Sequence, residues 1–261
     1  MIALIDADGL TYSVCFNREK QSAIVNLDDD GNTSYTAEEE AQYKAEIFKN
    51  FCRDLREVSE NVFAEEARIV LRGKGNFRHE VDPFYKSKRN SGGVKYYADG
   101  IKDVALSLEM AVPSTGCEAD DYIRMWAEEL RAEGKDFIVC TTDKDLKMIS
   151  GKHYHLKTKQ ISTVTEHEAL MSYHQQLLMG DAVDSIPGIW KMGPVKSAKA
   201  LKDCTTLESF QEVVIDEYIK AYGDKWHEEL TLTGKLIHLW RWPEDYFSLD
   251  EWPLAKEMLG T

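Results

Sequence analysis

Residues 137–149 read FIVCTTDKDLKMI. Phe137 to Thr141 is a short apolar run of strand length, and it breaks at once into two aspartates, Asp143 and Asp145. Working upstream, Ala119 to Arg131 reads as a helix, Ala111-Val112 as a short strand and Asp103 to Met110 as a further helix. Ile69 to Leu71 and Ala3 to Ile5 are expected strands, and Ala23 to Leu27 with the turn-rich Asp28 to Asn32 reads as a β-hairpin arm. Thr36 with Glu39 forms a capping box, after which Ile47, Phe48, Phe51, Leu55 and Val58 make the stripe of an amphipathic helix. Strands alternating with helices imply an α/β fold: a mainly parallel central sheet flanked by helices. Downstream of about Glu166 only helical signals remain, so an α/β core at 1–165 and a helical lobe at 166–261 are expected.

One stretch breaks the alternation. From Gly73 to about Gly100 the chain is basic, aromatic and glycine-bearing, with little apolar periodicity, which is long for a connection inside a compact domain. Between Arg68 and Lys102 there are nine Lys/Arg against three acids. The whole chain carries a formal charge of −14, so the remainder stands at −20. That total argues against long-range attraction to a polyanion, whereas its distribution suits phosphates at the basic island and cations at the acids.

At 261 residues the chain is near the upper limit for one continuous core. Its 43% apolar and 30% charged residues exclude wholesale disorder and low-complexity structure. No apolar run approaches a membrane span, and only Ile2 to Ile5 is apolar near the start, so a cytoplasmic compartment is expected. Five scattered cysteines without a CxxC pair suggest neither disulfides nor a zinc site. The histidines show no HExxH spacing and read as core or solvated residues, and GxxxxGK[ST] and GxGxxG are missing.

The acids are the chemical signal. Asp6 and Asp8 follow the first strand, Glu118, Asp120 and Asp121 open a helix, Asp143 and Asp145 follow a strand, and Asp181 and Asp184 occur in GDAVDSIPG. Each cluster alone has a plain structural reading, as helix cap, macrodipole partner or turn former. Their joint placement at element boundaries is the stronger observation, because strand carboxyl ends in a parallel sheet converge on one crevice. Carboxylates brought together need a cation, and oxygen ligands without interleaved His or Cys select Mg²⁺ or Mn²⁺.

GCEADDYIRMWA (116–127), FIVCTTDKDLKMI (137–149) and LLMGDAVDSIPGIWKMGPVKSAKAL (177–201) resemble the three consecutive signatures of the 5'-nuclease superfamily. These are the flap endonucleases and bacteriophage 5'-3' exonucleases, and the phage members are the most similar. LIDADG (4–9) is similar to the first acidic motif of that family, and NFRHEVDPFYKSKRN (76–90) resembles the segment leading into its helical arch. The resemblance implies a PIN-like core, an arch at about 73–102 and a C-terminal lobe with a helix-hairpin DNA-binding motif. It implies two Mg²⁺ (or Mn²⁺), the first at Asp6, Glu118 and Asp120, the second at Asp143, Asp145 and Asp181, with Asp121 and Asp184 as accessory acids. Tyr85, Lys86 and Arg89 match arch residues, and Lys86 and Arg89 match the pair that contacts the scissile phosphate. Arg78 and Lys88 are further nucleic-acid candidates on the same basic segment, and Phe84, Tyr85, Tyr96 and Tyr97 are candidates to stack on unpaired bases.

Ile186 to Lys199 resembles the helix-hairpin turn, here longer than usual between Gly188 and Gly193. Its nucleic-acid candidates are Lys191, Gly193, Lys196 and Lys199, and in relatives the turn holds K⁺ through carbonyl oxygens. The implied activity is Mg²⁺-dependent, structure-specific 5' cleavage of DNA at single-strand ends, flaps or nicks, in a phage-encoded protein acting in host cytoplasm. An RNA/DNA hybrid and replication proteins are further candidate partners. One family acid is missing: after the strand ending at Leu71 the chain reads Arg72-Gly73-Lys74, so Asp8 or Asp121 is expected to substitute in part, and Gly73 is the expected position of the lost ligand. Two other classes stay open. LIDADGLT also resembles the first motif of haloacid-dehalogenase phosphatases, although GDAVD is one residue short of their GDxxxD. A non-catalytic nucleic-acid-binding protein on the same fold is the other.

Overall fold

The computed structural model describes residues 1–15, 36–88 and 94–260. The expected hairpin arm at Ala23 to Leu27, and Arg89, lie outside these residues. Among the described residues the helices are α1 (Asp8–Cys15), α2 (Ala37–Asn61), α3 (Arg78–Val81), α4 (Val94–Ser107), α5 (Ala119–Ala132), α6 (Glu166–Met179), α7 (Pro194–Leu201), α8 (Leu207–Tyr222), α9 (Trp226–Ile237) and α10 (Pro253–Leu259). None is long and apolar enough to cross a membrane.

The chain forms two compact units. The first is Met1–Gly75, Asn90–Thr142 and Lys152–Ser162, and the second is Asn76–Arg89, Asp143–Gly151 and Thr163–Thr261. Sequence order assigns 76–89 and 143–151 to the core, whereas contact groups them with the helical lobe. The physical reason is explicit at Arg78. Its side chain is buried, Nε donates to the Leu236 carbonyl at 2.8 Å and Nη2 to the His238 carbonyl at 2.6 Å. Phe77 stacks on Trp240 with centroids 5.0 Å apart. Arg78 is therefore a brace of the second unit, a correction to its expected place among the phosphate contacts.

The sheet has the order β3-β2-β1-β4-β5-β6, with β1 (Ile2–Asp6), β2 (Glu66–Leu71), β3 (Val112–Pro113), β4 (Phe137–Thr141), β5 (Gly151–His155) and β6 (Gln160–Val164). The pairs β1–β2, β1–β4, β2–β3 and β4–β5 are parallel. All five residues of β1 are buried, as a central parallel strand requires. The sequence gives no apolar signal for β5 and β6, whose KHYH and QIST segments are largely polar.

Helix α2 opens with the expected capping box: the Glu39 N–H donates to Thr36 Oγ1 at 3.2 Å and the Thr36 N–H to Glu39 Oε2 at 2.8 Å. It buries Tyr43, Ile47, Phe51, Leu55 and Val58 in the core it shares with α1 and α4, with Phe48 partly buried beside them. Helix α4 differs from expectation. It starts at Val94 instead of Asp103, so the C-terminal part of the expected arch is ordinary helix. Tyr97, Ala98, Ile101 and Ala105 recur at helical spacing and are buried, and their packing outweighs the roughly 1 kcal/mol cost of Gly100 in a helix interior.

Candidate active site

In the first unit, β1 delivers Asp6 and the following turn delivers Asp8. Asp6 is buried. It accepts the Thr141 hydroxyl from the end of neighbouring β4 at 3.0 Å and the Asp8 N–H at 3.3 Å. Asp8 accepts the Arg72 N–H at 3.0 Å. Burial pushes the Asp8 carboxyl above its ordinary range and the nearby Glu118 charge adds to this, with Arg72 and Lys102 opposing. Glu118 precedes α5, and its N–H donates to Asp121 Oδ2 at 2.8 Å in a capping box. Asp121 is fully buried, so at least one of its oxygens serves the helix start, while Glu118 and Asp120 are half-buried.

The position expected to have lost an acid cannot carry one. A Cβ at Gly73 would lie 1.9 Å from the Ser114 carbonyl oxygen, and the Gly73 N–H donates to Ser114 Oγ at 3.1 Å. Just past the end of β2 the chain is thus packed against Ser114, the residue that follows β3. The expectation that Gly73→Asp restores a ligand is corrected on that ground.

In the second unit, Asp143 accepts the Asp145 N–H at 2.8 Å, which turns the chain into the 3-10 turn Asp145–Met148. Asp145 Oδ1 accepts Gln176 Nε2 from α6 at 2.6 Å and Lys144 Nζ at 3.0 Å. The same ammonium reaches Asp181 Oδ2 at 2.7 Å. Asp181 Oδ1 accepts the N–H groups of Val183 and Asp184. Burial opposes ionisation of Asp181, yet Lys144 and these amides together hold it below the usual range. Burial and the Asp143 charge raise Asp145 against Lys144 and Gln176. Lys144 and Gln176 escape sequence reading. A lysine between two aspartates looks like surface charge, and Gln176 is an unremarked polar position of a helix.

Lys86 occupies the same unit. Its N–H donates to the Asp184 carbonyl at 2.8 Å, its Nζ stands 3.7 Å from Asp184 Oδ2, and its backbone is left-handed at φ 56°. Tyr85 is buried, with the Lys86 ammonium 5.0 Å from its ring centroid, so it serves packing and not base stacking. Tyr97 is buried likewise, against Tyr43 in the core of the first unit. Phe84 and Tyr96 are exposed, and Lys88 is exposed.

The GDAVDSIPG turn is held by backbone. Asp181 and Ile186 exchange N–H···O bonds of 3.1 and 2.8 Å, and the Ile189 N–H donates to the Leu178 carbonyl at 2.9 Å. A Cβ on Gly188 would lie 2.1 Å from the Met179 carbonyl carbon, so glycine alone permits this approach. Gly193 then caps α7, with Pro194 at its first position, and Lys191, Lys196 and Lys199 are exposed around it.

The candidate acids thus fall into two sets, one in each unit. Among the described residues no group of three or more His, Cys, Asp or Glu is gathered to hold a metal ion. The donor chemistry of the second set nevertheless suits a cation, because Asp145 and Asp181 already share one, the Lys144 ammonium. Residues 2–175 match the family model described as 5'-3' exonuclease, N-terminal resolvase-like domain. The chain belongs to that family. It is 32% identical over 148 residues to DNA polymerase I of Rhizobium leguminosarum, covering 52% of this chain and 15% of the relative. It is 29% identical over 137 residues to a 5'-3' exonuclease of Buchnera aphidicola subsp. Schizaphis graminum, covering 48% and 47%. The matches therefore span half or less of these relatives' length. The fold is similar to that of T5 5'-exonuclease with bound zinc, with a TM-score of 0.59 at 15% identity, covering 91% and 86% of the two chains. It is similar also to a T5 flap endonuclease pseudo-enzyme-product complex with DNA and metal ions, with a TM-score of 0.56 at 12% identity, covering 99% and 98%.

Proposed function

We propose that this chain is a Mg²⁺-dependent, structure-specific 5' nuclease that hydrolyses phosphodiester bonds of DNA near junctions of single strand and duplex. The observation that carries the reading is that the family match, residues 2–175, takes in Asp6, Glu118, Asp120, Asp143 and Asp145 in order. Asp6, Glu118 and Asp120, with Asp8 beside them, would hold one divalent ion, and Asp143, Asp145 and Asp181 another. Bound there, such ions polarise the phosphodiester and make a water more acidic.

The chain's own groups do the rest. Lys86, carried on a backbone turn bonded to Asp184, presents a fixed ammonium for a phosphate oxygen, neutralising charge that grows as water oxygen bonds to phosphorus and the bond to the leaving oxygen breaks. The proton of that water leaves to solvent or a carboxylate, and the departing oxygen gains one. Lys88, Lys191, Lys196 and Lys199 are exposed cations that would position the backbone without reading sequence. A K⁺ ion at the hairpin would use carbonyl lone pairs left over there, since those of Pro187, Gly188, Ile189 and Gly193 also accept protein donors.

Mapping products from a 5'-labelled flap, a nicked duplex, a blunt duplex and an RNA/DNA hybrid, with Mg²⁺ and with EDTA, tests the reading. Mg²⁺-dependent cuts close to the junction are expected. DNA binding without cleavage in any metal would replace it with the non-catalytic reading, and release of phosphate from small phosphoesters alone would favour the phosphatase.

A further inference from the structure

Trp190 is 83% exposed, and so is Val195 across the start of α7. A large aromatic held out to solvent gains nothing for folding. It is also not carried on a loose loop. The turn beneath it is pinned by the Gly188 approach to Met179, by the Ile189 and Met192 N–H bonds, and by the Tyr222 hydroxyl donating to the Gly188 carbonyl at 3.1 Å. The next residue, Lys191, takes a left-handed backbone at φ 60°, a conformation that a non-glycine residue adopts only when its surroundings impose it.

The charge along this segment is one-sided. From Ser185 to Lys202 the chain carries Lys191, Lys196, Lys199 and Lys202 and no acid, in a protein with a formal charge of −14. The Lys191 ammonium lies 5.9 Å from the Trp190 ring centroid. An exposed flat apolar surface on a segment that also carries exposed lysines complements a ligand that alternates anionic groups with flat apolar faces, which is the chemistry of a nucleic-acid strand. A polyanion without such faces would use the lysines and leave the indole idle.

We infer that Trp190 is a nucleic-acid contact in its own right: its indole packs on a base or deoxyribose face while Lys191, Lys196 and Lys199 take the flanking phosphates. The inference rests on the proposed DNA-binding function and adds to it a contact that phosphate attraction does not supply.

The test is equilibrium binding in EDTA, where no cutting occurs, of wild type, Trp190→Ala and Trp190→Phe to a labelled single strand, a blunt duplex, a flap and heparin. Trp190→Ala should weaken at least one DNA by about tenfold or more, the scale of one lost stacking contact. Trp190→Phe should stay within about threefold of wild type, and heparin binding should be unchanged. The DNA that loses most tells an unpaired base from a duplex groove. Wild-type affinity of Trp190→Ala for every DNA, or an equal loss on heparin, overturns the inference while leaving the nuclease reading in place. Failure of wild type to bind any DNA overturns both. Because Trp190 is exposed, thermal midpoints of the variants should match wild type, and that measurement separates contact from folding.

Discussion

Asp6 and Asp121, in the first unit, lend oxygens to a threonine hydroxyl and to backbone N–H groups, whereas in the second unit Asp145 and Asp181 share the Lys144 ammonium and Asp184 faces Lys86. Neutral donors orient a carboxylate and leave its charge largely intact. An ammonium orients and neutralises at once, and it competes for the same oxygens with any other cation. In the second set, use of Asp145 and Asp181 by another cation therefore requires the exposed Lys144 ammonium to give way.

The most severe way to break the comparison removes charge where the lysine sits. Asp143→Asn with Asp145→Asn keeps shape but leaves Lys144 with Asp181 as its remaining partner of the bridge. Cleavage should fall by more than about a thousandfold, with flap binding in Ca²⁺ largely kept. Turnover within about tenfold of wild type would take these acids out of the chemistry.

Each unit also has a close backbone approach near its acids, Gly73 on Ser114 in the first and Gly188 on Met179 in the second. In neither case is the obstructing atom the end of a flexible side chain. Gly188→Ala and Gly73→Asp should each cost more than about 3 kcal/mol in denaturant unfolding. For Gly73→Asp the loss should appear as instability and not as a lower Mg²⁺ requirement. A folded Gly73→Asp of wild-type stability that cuts at lower Mg²⁺ would reinstate the vacant-ligand idea.

What could be read from sequence follows physical lines. β1, β2 and β4 and the capping box of α2 announce themselves because apolar runs and Thr36/Glu39 are local signals, and the acids are visible as strand-end residues. Two kinds of feature are not local. Helix α4 hides behind Gly100 and its lysines because its stability comes from burying Tyr97, Ile101 and Ala105 in tertiary packing. Arg78 looks like a phosphate ligand because only the fold brings the carbonyls of Leu236 and His238, some 160 residues on, to its guanidinium. The grouping of 76–89 and 143–151 with the helical lobe is illegible for the same reason.

Acid should destabilise the second unit. His174 of α6 is buried against Phe210, its Nδ1 lies 2.8 Å from the Leu170 carbonyl, and among the described residues its Nε2 has no partner. Burial lowers its pKa from 6.5 to about 4. Above pH 6.5 the ring is neutral in both states and adds no pH dependence. Between 6.5 and about 4 the unfolded chain binds the proton first, so stability falls with pH, by about 3 kcal/mol when complete. Chemical denaturation from pH 7.5 to 4.5, followed by tryptophan emission, to which the second unit contributes five of six tryptophans, should show this slope and His174→Phe should flatten it. An identical slope in the variant would assign the loss to other groups.

The smallest effect concerns Lys86, where the second unit's pairing of lysine with acid meets the proposed chemistry. Its backbone N–H on the Asp184 carbonyl and its left-handed φ of 56° fix where the side chain starts, and Asp184 Oδ2 at 3.7 Å draws the ammonium to one side. A cation so placed is preorganised, so its removal should be felt in the transition state more than in binding. Lys86→Ala should lower the single-turnover rate at saturating flap by about a hundredfold, roughly 2.7 kcal/mol, with affinity changed by less than about fivefold. Alanine keeps the same left-handed backbone penalty, so that term largely cancels, and the thermal midpoint reports what Asp184 loses when its lysine goes. Lys86→Arg, which restores charge with a different reach, should recover part of the rate. An equal fall in affinity with an unchanged saturated rate would make Lys86 a phosphate anchor that positions the strand without acting on the transition state.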